Sequence, residues 1–266
     1  MRKEAFICCL GILFACEEPS DLLRLESASP VLVVEAILTN ENKNHLIELS
    51  HPHRLQNSDP LPATGATVAV IVDNVTYQSL EWPAGSGKYY TEAFTAVFGK
   101  LYTLYISYQG KQYYAVDGSV PVEPLPPLQY EKTSEPFFYR LTGGNGGSEP
   151  SFITYDFDWN NTTFCTTDCA GRLVRYDLKT IEAQEIFKPN QADFVFPVDA
   201  SLVRRKYSMS PRFKTYLRGM LSETEWRGGY FDVDKANAAT NLSEGATGFF
   251  AVTTVVTDTT KIVAIP

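Results

Sequence analysis

Two short turns flanked by alternating apolar residues constrain the fold of this chain more than any other feature. Asp73 and Asn74 separate one pair of strand-like runs, and Gln109 and Gly110 separate another. Two-residue connections of this kind, set between alternating runs, are typical of β-hairpins. With further β-branched runs nearby, the pattern predicts an immunoglobulin-like or transthyretin-like β-sandwich over residues 30–120.

A proline-rich stretch follows these strands. Four of the eight residues in 121–128 are proline. Proline cannot donate to a β-ladder and stiffens the chain, so we expect a linker over 121–128. Residues 129–266 are again rich in strand-like runs and predict a second β-rich domain, closed by a terminal hairpin from 248–256 and 261–265.

One segment of the second half has the period of a helix. Ser210 is a suitable N-cap, Pro211 suits the first turn, and Phe213 and Leu217 begin an apolar stripe. Gly228 and Gly229 end the pattern. We therefore expect a mainly β protein with one helix, over about 211–226.

The N-terminus has the pattern of an export signal. Arg2 and Lys3 precede an uncharged apolar run over 5–15, which is shorter than the roughly 20 residues a membrane-spanning helix requires. Residues 13–16 (LFAC) resemble the lipobox of bacterial lipoproteins, in which the cysteine thiol receives a diacylglycerol and cleavage makes that cysteine the new N-terminus. The sequence predicts a signal peptide over 1–15 and a lipidated tether over 16–29, attached through Cys16 to outer-membrane lipid.

The predicted export signal determines which cysteines remain available to form a disulfide. The chain has five; Cys8 and Cys9 leave with the signal, and Cys16 becomes a thioether. Cys165 and Cys169 are left, four positions apart, and we expect a small disulfide loop. A zinc site would need two further ligands, and the neighbouring sequence offers none.

A search for catalytic chemistry finds little. The net charge of −8 opposes nucleic-acid binding, and only three histidines are present, between 45 and 53. The series Asp156, Asp158 and Asn160 imitates the start of a calcium loop but lacks its glycine and closing glutamate. We expect no enzyme activity, no cofactor and no metal, and the ligand stays unknown. A row of surface aromatic rings for sugar stacking stays open as an alternative.

Longer stretches carry a family resemblance. The segments 16–19 and 30–40, the runs 64–68, 99–104 and 120–124, and the late segments 213–217, 241–245 and 248–250 resemble a Bacteroidota outer-membrane lipoprotein family catalogued as domain of unknown function 4249. Genes of that family commonly neighbour TonB-dependent transporters. The resemblance implies an accessory or ligand-capture role at such a transporter, from an outer-membrane position facing the cell exterior, with no catalytic residues to carry over.

Two other classes of function stay open. A fimbria-like structural lipoprotein would have a cleavage site near Arg24 and a releasable first strand, and a glycan-binding module would expose rings. For a transporter partner, we expect the aromatic residues after the helix, Trp226, Tyr230 and Phe231, to form the docking surface, since Trp and Tyr are enriched at interface hot spots.

Overall fold

The structure is a computed structural model of the chain. It describes residues 31–52, 59–181, 183–186, 193–229 and 238–265. The predicted signal peptide, the tether and Cys16 lie outside the described residues.

The first half of the chain forms a curled antiparallel sheet. Its strands are β1 (Leu32–Thr39), β2 (Leu46–His51), β3 (Leu61–Pro62), β4 (Thr67–Val72), β5 (Val75–Glu81), β6 (Lys88–Thr91), β7 (Leu101–Tyr108) and β8 (Lys111–Gly118). The expected hairpin turns are present, with positive φ at Asp73, Asn74, Gln109 and Gly110. These are the angles that tight hairpin turns require.

The second half supplies the remaining elements. They are β9 (Tyr130–Lys132), β10 (Phe138–Leu141), β11 (Ser151–Asp158), β12 (Ala170–Asp177), α1 (Ala183–Ile186), β13 (Val195–Pro197), β14 (Ser201–Ser208), α2 (Pro211–Glu223), β15 (Ala246–Thr253) and β16 (Val255–Lys261). Among the described residues the prediction of a mainly β chain is confirmed, and α2 is its principal helix, capped as expected by the Ser210 side chain on the amide of Phe213.

Nine described strands share one nearly closed, barrel-like sheet. Its order is β15-β1-β2-β6-β5-β4-β7-β8, and β3 pairs with β2. The sequence favoured a two-sheet sandwich here, whereas the strands form one sheet that curls until β8 approaches β15. The interior is filled by fully buried side chains such as Leu32, Ile47, Tyr89, Leu104 and Phe250.

The barrel closes with residues from the far end of the chain. β15 runs parallel to β1 over its whole length, from Leu32 opposite Ala246 onwards. Asn241 joins the seam, since its side chain bonds both backbone groups of Phe250 at 2.7 and 3.1 Å. Asp117, on β8, accepts a hydrogen bond from the Val252 amide at 2.9 Å.

Gly248 makes the parallel pairing possible. Its φ is +93°, and a Cβ placed there would collide with the carbonyl of Val34 on β1. Only glycine combines this backbone angle with so close an approach.

Two smaller sheets form the other part of the fold. The order β12-β11-β14-β16 gives a four-stranded sheet, and β13-β10-β9 gives a three-stranded one. One face of the larger sheet packs on the smaller through buried residues such as Ile153, Phe157 and Phe196. Its other face receives α2.

Helix α2 fills the space between this four-stranded sheet and the outer face of β15. Phe213 contacts the ring of Phe249, on β15, with centroids 5.1 Å apart, and that of Phe152, on β11, at 6.2 Å. β15 is consequently covered on both faces, which explains its apolar run from Phe249 to Val252.

Two expectations differ from the structure for the same reason. The expected terminal hairpin is not formed, because β15 joins the barrel and β16 pairs with β14. The segment 121–128 likewise does not separate the two sheets, since residues 246–253 return to the first of them, and residues 31–266 form one compact unit.

Two buried cationic side chains of β14 hold the proline-rich segment against the four-stranded sheet. Arg204 donates to the carbonyl of Pro126 at 2.9 Å, and the Lys206 ammonium donates to that of Pro124 at 3.3 Å. The segment 121–128 forms no β-ladder, so these two β14 side chains give its carbonyls partners within the protein. Burial lowers the pKa of Lys206.

Candidate functional site

The predicted disulfide is present in the connection between β11 and β12. Cys165 and Cys169 are bridged, with their Cα atoms 5.3 Å apart. The amide of Trp159 donates to the Cys169 carbonyl at 2.8 Å. The bridge therefore closes a short loop, and nothing around it indicates a redox site.

The predicted docking residues are not brought together on a surface. Trp226 is 3 % exposed and packs with Phe152, Leu178 and the apolar stripe of α2. Its ring belongs to the core, so the docking hypothesis is wrong for Trp226, because the indole fills the space where α2 ends. Tyr230 and Phe231 lie outside the described residues.

The calcium-like series is occupied by internal contacts. Asp156 forms ion pairs with Arg172 and, at 3.0 Å, with Arg205. Asp158 accepts from the amide of Asn160 at 2.9 Å. Guanidinium groups lie where a cation would bind, and no group of three or more metal-ligating side chains is found within the part of the chain that the structure describes.

No helix among the described residues has the length and apolar character needed to cross a bilayer.

One cavity beside the four-stranded sheet is lined by arginine side chains that already have partners. It measures about 440 Å³ and includes Arg140 and Arg175. Arg140 bonds Glu131 and Asp193, each at 2.7 Å, and Arg175 donates to the carbonyls of Leu141 and Gly143. Both guanidinium groups are therefore engaged by partners within the protein.

A larger depression lies on the outer wall of the barrel, across β5 and β6. Its volume is about 880 Å³, within the range typical of small-molecule sites. Its apolar side chains are Leu80, Trp82 and Tyr90, and Leu80 lies directly opposite Tyr90 in the ladder. Leu80 is 77 % exposed and Trp82 is 70 % exposed. We call this surface the Trp82 depression.

The polar rim of the Trp82 depression completes the site. Its polar lining residues are Lys43, Asn44, Gln78, Glu81, Thr91 and Glu92, of which Glu81 and Thr91 direct their side chains inward. Asn44 donates to the Thr91 carbonyl at 2.6 Å, which fixes its amide. The side chains of Gln78 and Glu92 make no hydrogen bond to any residue in the described ranges, so their polar atoms face solvent.

This surface exists because the end of β5 directs its polar side chains inward and its apolar side chains outward. Ser79 and Glu81 point inward, while Gln78, Leu80 and Trp82 point outward. Glu81 faces inward because its carboxylate accepts from the amides of Gly65 and Gly87, at 3.2 and 2.9 Å. These bonds fix the register of β5, and a register with Glu81 inside must place its neighbours Leu80 and Trp82 outside.

The sequence alone does not single out these residues. Its only related signal was the abundance of aromatic residues, which strands favour in any case. The spacing of Leu80 and Trp82 reads equally as an inward apolar pair, and only the contacts of Glu81, made 16 and 6 residues away, decide between the two faces.

The described residues thus define a mainly β protein, in which a barrel-like sheet carrying an open depression is joined to a smaller, helix-backed sheet. The chain belongs to the family described as domain of unknown function (DUF4249), whose model matches residues 21–259. The match runs from the predicted tether into β16. Comparison with curated proteins gives no match.

Proposed function

We propose that this chain is a non-enzymatic lipoprotein of the Bacteroidota outer membrane, lipidated at Cys16, which captures a ligand at the cell exterior for a TonB-dependent transporter. The N-terminal pattern supports the anchor, and the family resemblance supports the transporter. The observation that carries the capture role is the Trp82 depression, a concave surface with exposed apolar side chains and a polar rim.

The chemistry of the depression suits binding more than catalysis. Its acidic residues are Glu81 and Glu92. Glu81 is committed to two backbone amides, and the rim contains no histidine that would pair with Glu92 as a general base. A surface of this kind holds a ligand without transforming it.

The alternative of a fimbria-like polymer gains no support from the position of β1. This strand lies between β15 and β2 and pairs with both. Its release would open two ladders in the middle of the sheet, whereas strand exchange is easiest at an edge.

The anchor and the partner can be tested together. The tagged full chain is expressed at native level, and outer membranes are solubilised in mild detergent before purification and mass spectrometry. A TonB-dependent transporter should co-purify with the wild-type chain. Cys16→Ala should leave the membrane fraction and lose the transporter, because the lipid is the proposed attachment and holds the two proteins at high local concentration.

Two results would contradict the proposal. Equal membrane retention of Cys16→Ala would exclude the lipid as the anchor. Purification of the wild-type chain without any transporter would exclude the accessory role.

A further inference from the structure

We infer that the Trp82 depression binds an uncharged glycan, with one sugar ring stacked on the indole of Trp82. This inference rests on the proposed ligand-capture function and names its class of ligand. It depends on three observations: an exposed flat ring, planar hydrogen-bonding groups around it, and the sign of the local charge.

The exposed apolar surface suits a ligand with one apolar face. Trp82 presents its indole to solvent with 70 % of the residue exposed, and Leu80 and Tyr90 extend the surface along the wall. A sugar ring offers a face of C–H groups, which packs on an aromatic face whose quadrupole is negative. A peptide or an acyl chain would instead require a longer continuous apolar groove.

The rim suits the hydroxyl groups of a sugar. Gln78 lies on β5 two positions before Leu80, and the amide of Glu92 bonds the Gln78 carbonyl at 3.2 Å, which places the two side chains on adjacent strands. An amide and a carboxylate together offer donors and acceptors in a plane. Hydroxyl groups, which both donate and accept, match them without leaving a polar atom unpaired.

The charge of the rim favours a neutral ligand. Its outward carboxylate is that of Glu92, since Glu81 is directed inward, and its cation is Lys43. Lys88, whose carbonyl accepts from the Trp82 amide on the same wall, lies opposite Glu48 in the ladder with β2. The ammonium of Lys43 is paired with Glu41 at 2.6 Å. The local charge is therefore negative, and an anionic polysaccharide would be repelled.

The size of the surface argues against a large protein partner. A stable protein interface buries roughly 800 Å² on each partner around an apolar centre. The Trp82 depression offers three apolar side chains inside a rim of six polar residues. This arrangement fits a ligand of a few sugar units.

A titration with defined oligosaccharides tests the inference. The detergent-purified full chain, in a detergent without a sugar head group, is titrated by calorimetry with neutral hexasaccharides of glucose, xylose and mannose in their common linkages, and with oligogalacturonate as the anionic probe. At least one neutral probe should bind, and oligogalacturonate should not.

Matched variants locate the site. Trp82→Ala should weaken binding by about tenfold or more, through loss of the stacking surface. Phe98→Ala removes a ring of similar exposure, 60 %, from the loop between β6 and β7, outside the depression, and should leave affinity unchanged. Melting curves of both variants establish that they are folded.

Three results would overturn the inference: no neutral probe binds at millimolar concentration, the two variants lose affinity equally, or oligogalacturonate binds as tightly as the best neutral probe. The transporter pull-down keeps this test separate from the proposed function. If Trp82→Ala loses the transporter while no glycan binds, the depression is a protein contact and the glycan inference is wrong, although the accessory role stands.

Discussion

Strands β5 and β14 both depart from the usual arrangement of apolar side chains inside and polar side chains outside, but the departing side chains make different contacts. β14 turns Arg204 and Lys206 inward, where they donate to carbonyls of the proline-rich segment. β5 turns Leu80 and Trp82 outward, where they remain largely exposed. A polar side chain that points inward and finds hydrogen-bond partners there stabilises the fold. An apolar side chain that points outward and stays exposed instead indicates a surface for another molecule.

His45 lies between these two cases, because only one of its ring nitrogens has a hydrogen-bond partner among the described residues. It is fully buried beside the barrel wall, and its ring Nε2 donates to the Phe94 carbonyl at 3.0 Å. Its Nδ1 has no hydrogen-bond partner among the described residues. Burial lowers the pKa of His45 to about 4, because the charged imidazolium loses its hydration.

The largest expected effect concerns the inward cations. Arg204→Met should lower the free energy of unfolding by roughly 3 kcal/mol, because the Pro126 carbonyl and the partly exposed carboxylate of Asp258, 2.5 Å away, each lose a charged hydrogen-bond donor. Denaturant unfolding measures this. Arg172→Met, on an exposed residue of the same sheet, is the matched control and should cost less than about 1 kcal/mol. Equal losses would remove the distinction between satisfied inward cations and surface ones.

A smaller effect is expected from acid. The unfolded chain binds a proton at His45 near pH 6.5, and the folded chain only near pH 4, so the unfolded state gains protons first as the pH falls. Stability should therefore decrease by about 2–3 kcal/mol between pH 6.5 and 4 on account of this residue. Unfolding curves of His45→Gln against wild type over this range isolate the contribution. Parallel pH profiles would show that His45 does not titrate in this way.

The disulfide should contribute about 2 kcal/mol, since a loop between Cys165 and Cys169 excludes few unfolded conformations. Replacing both cysteines by serine and measuring thermal unfolding gives the value. Thiol labelling of the unfolded, unreduced wild-type chain provides the control and should find neither residue free. Two labelled thiols would contradict the bridge.

The smallest effect is expected on the outer wall. Leu80→Gln should change the free energy of unfolding by less than about 0.5 kcal/mol, because the side chain is 77 % exposed and supports no core contact. Leu104→Gln, at a fully buried position of β7, serves as the contrasting variant and should be strongly destabilising. A large loss in Leu80→Gln would mean that the wall is covered by the protein itself.

The sequence predicted the features that depend on near neighbours. The cap at Ser210, the hairpin turns at Asp73 and Gln109 and the pairing of Cys165 with Cys169 are each set by residues within a few positions. Local chemistry decides them, so a local pattern suffices.

Features that depend on distant pairing were not predictable in the same way. The runs 248–256 and 261–265 predict a hairpin because they are close in sequence, yet β15 pairs with β1 and β16 pairs with β14. The apolar character of Trp226 read as an exposed hot spot, although a core forms around it from three separate elements. The outward direction of Trp82 was hidden for the same reason, because Glu81 sets it through contacts elsewhere.

The pairing of β1 with β15 also has a consequence for how the chain acquires its structure. Residue 32 meets residue 246 in this ladder, so β1 can acquire this partner only after the intervening residues have been synthesised. Such a long loop must be ordered before its contacts form, which slows folding. We therefore expect the ladder between β1 and β15 to form after the shorter-range hairpins of the same sheet.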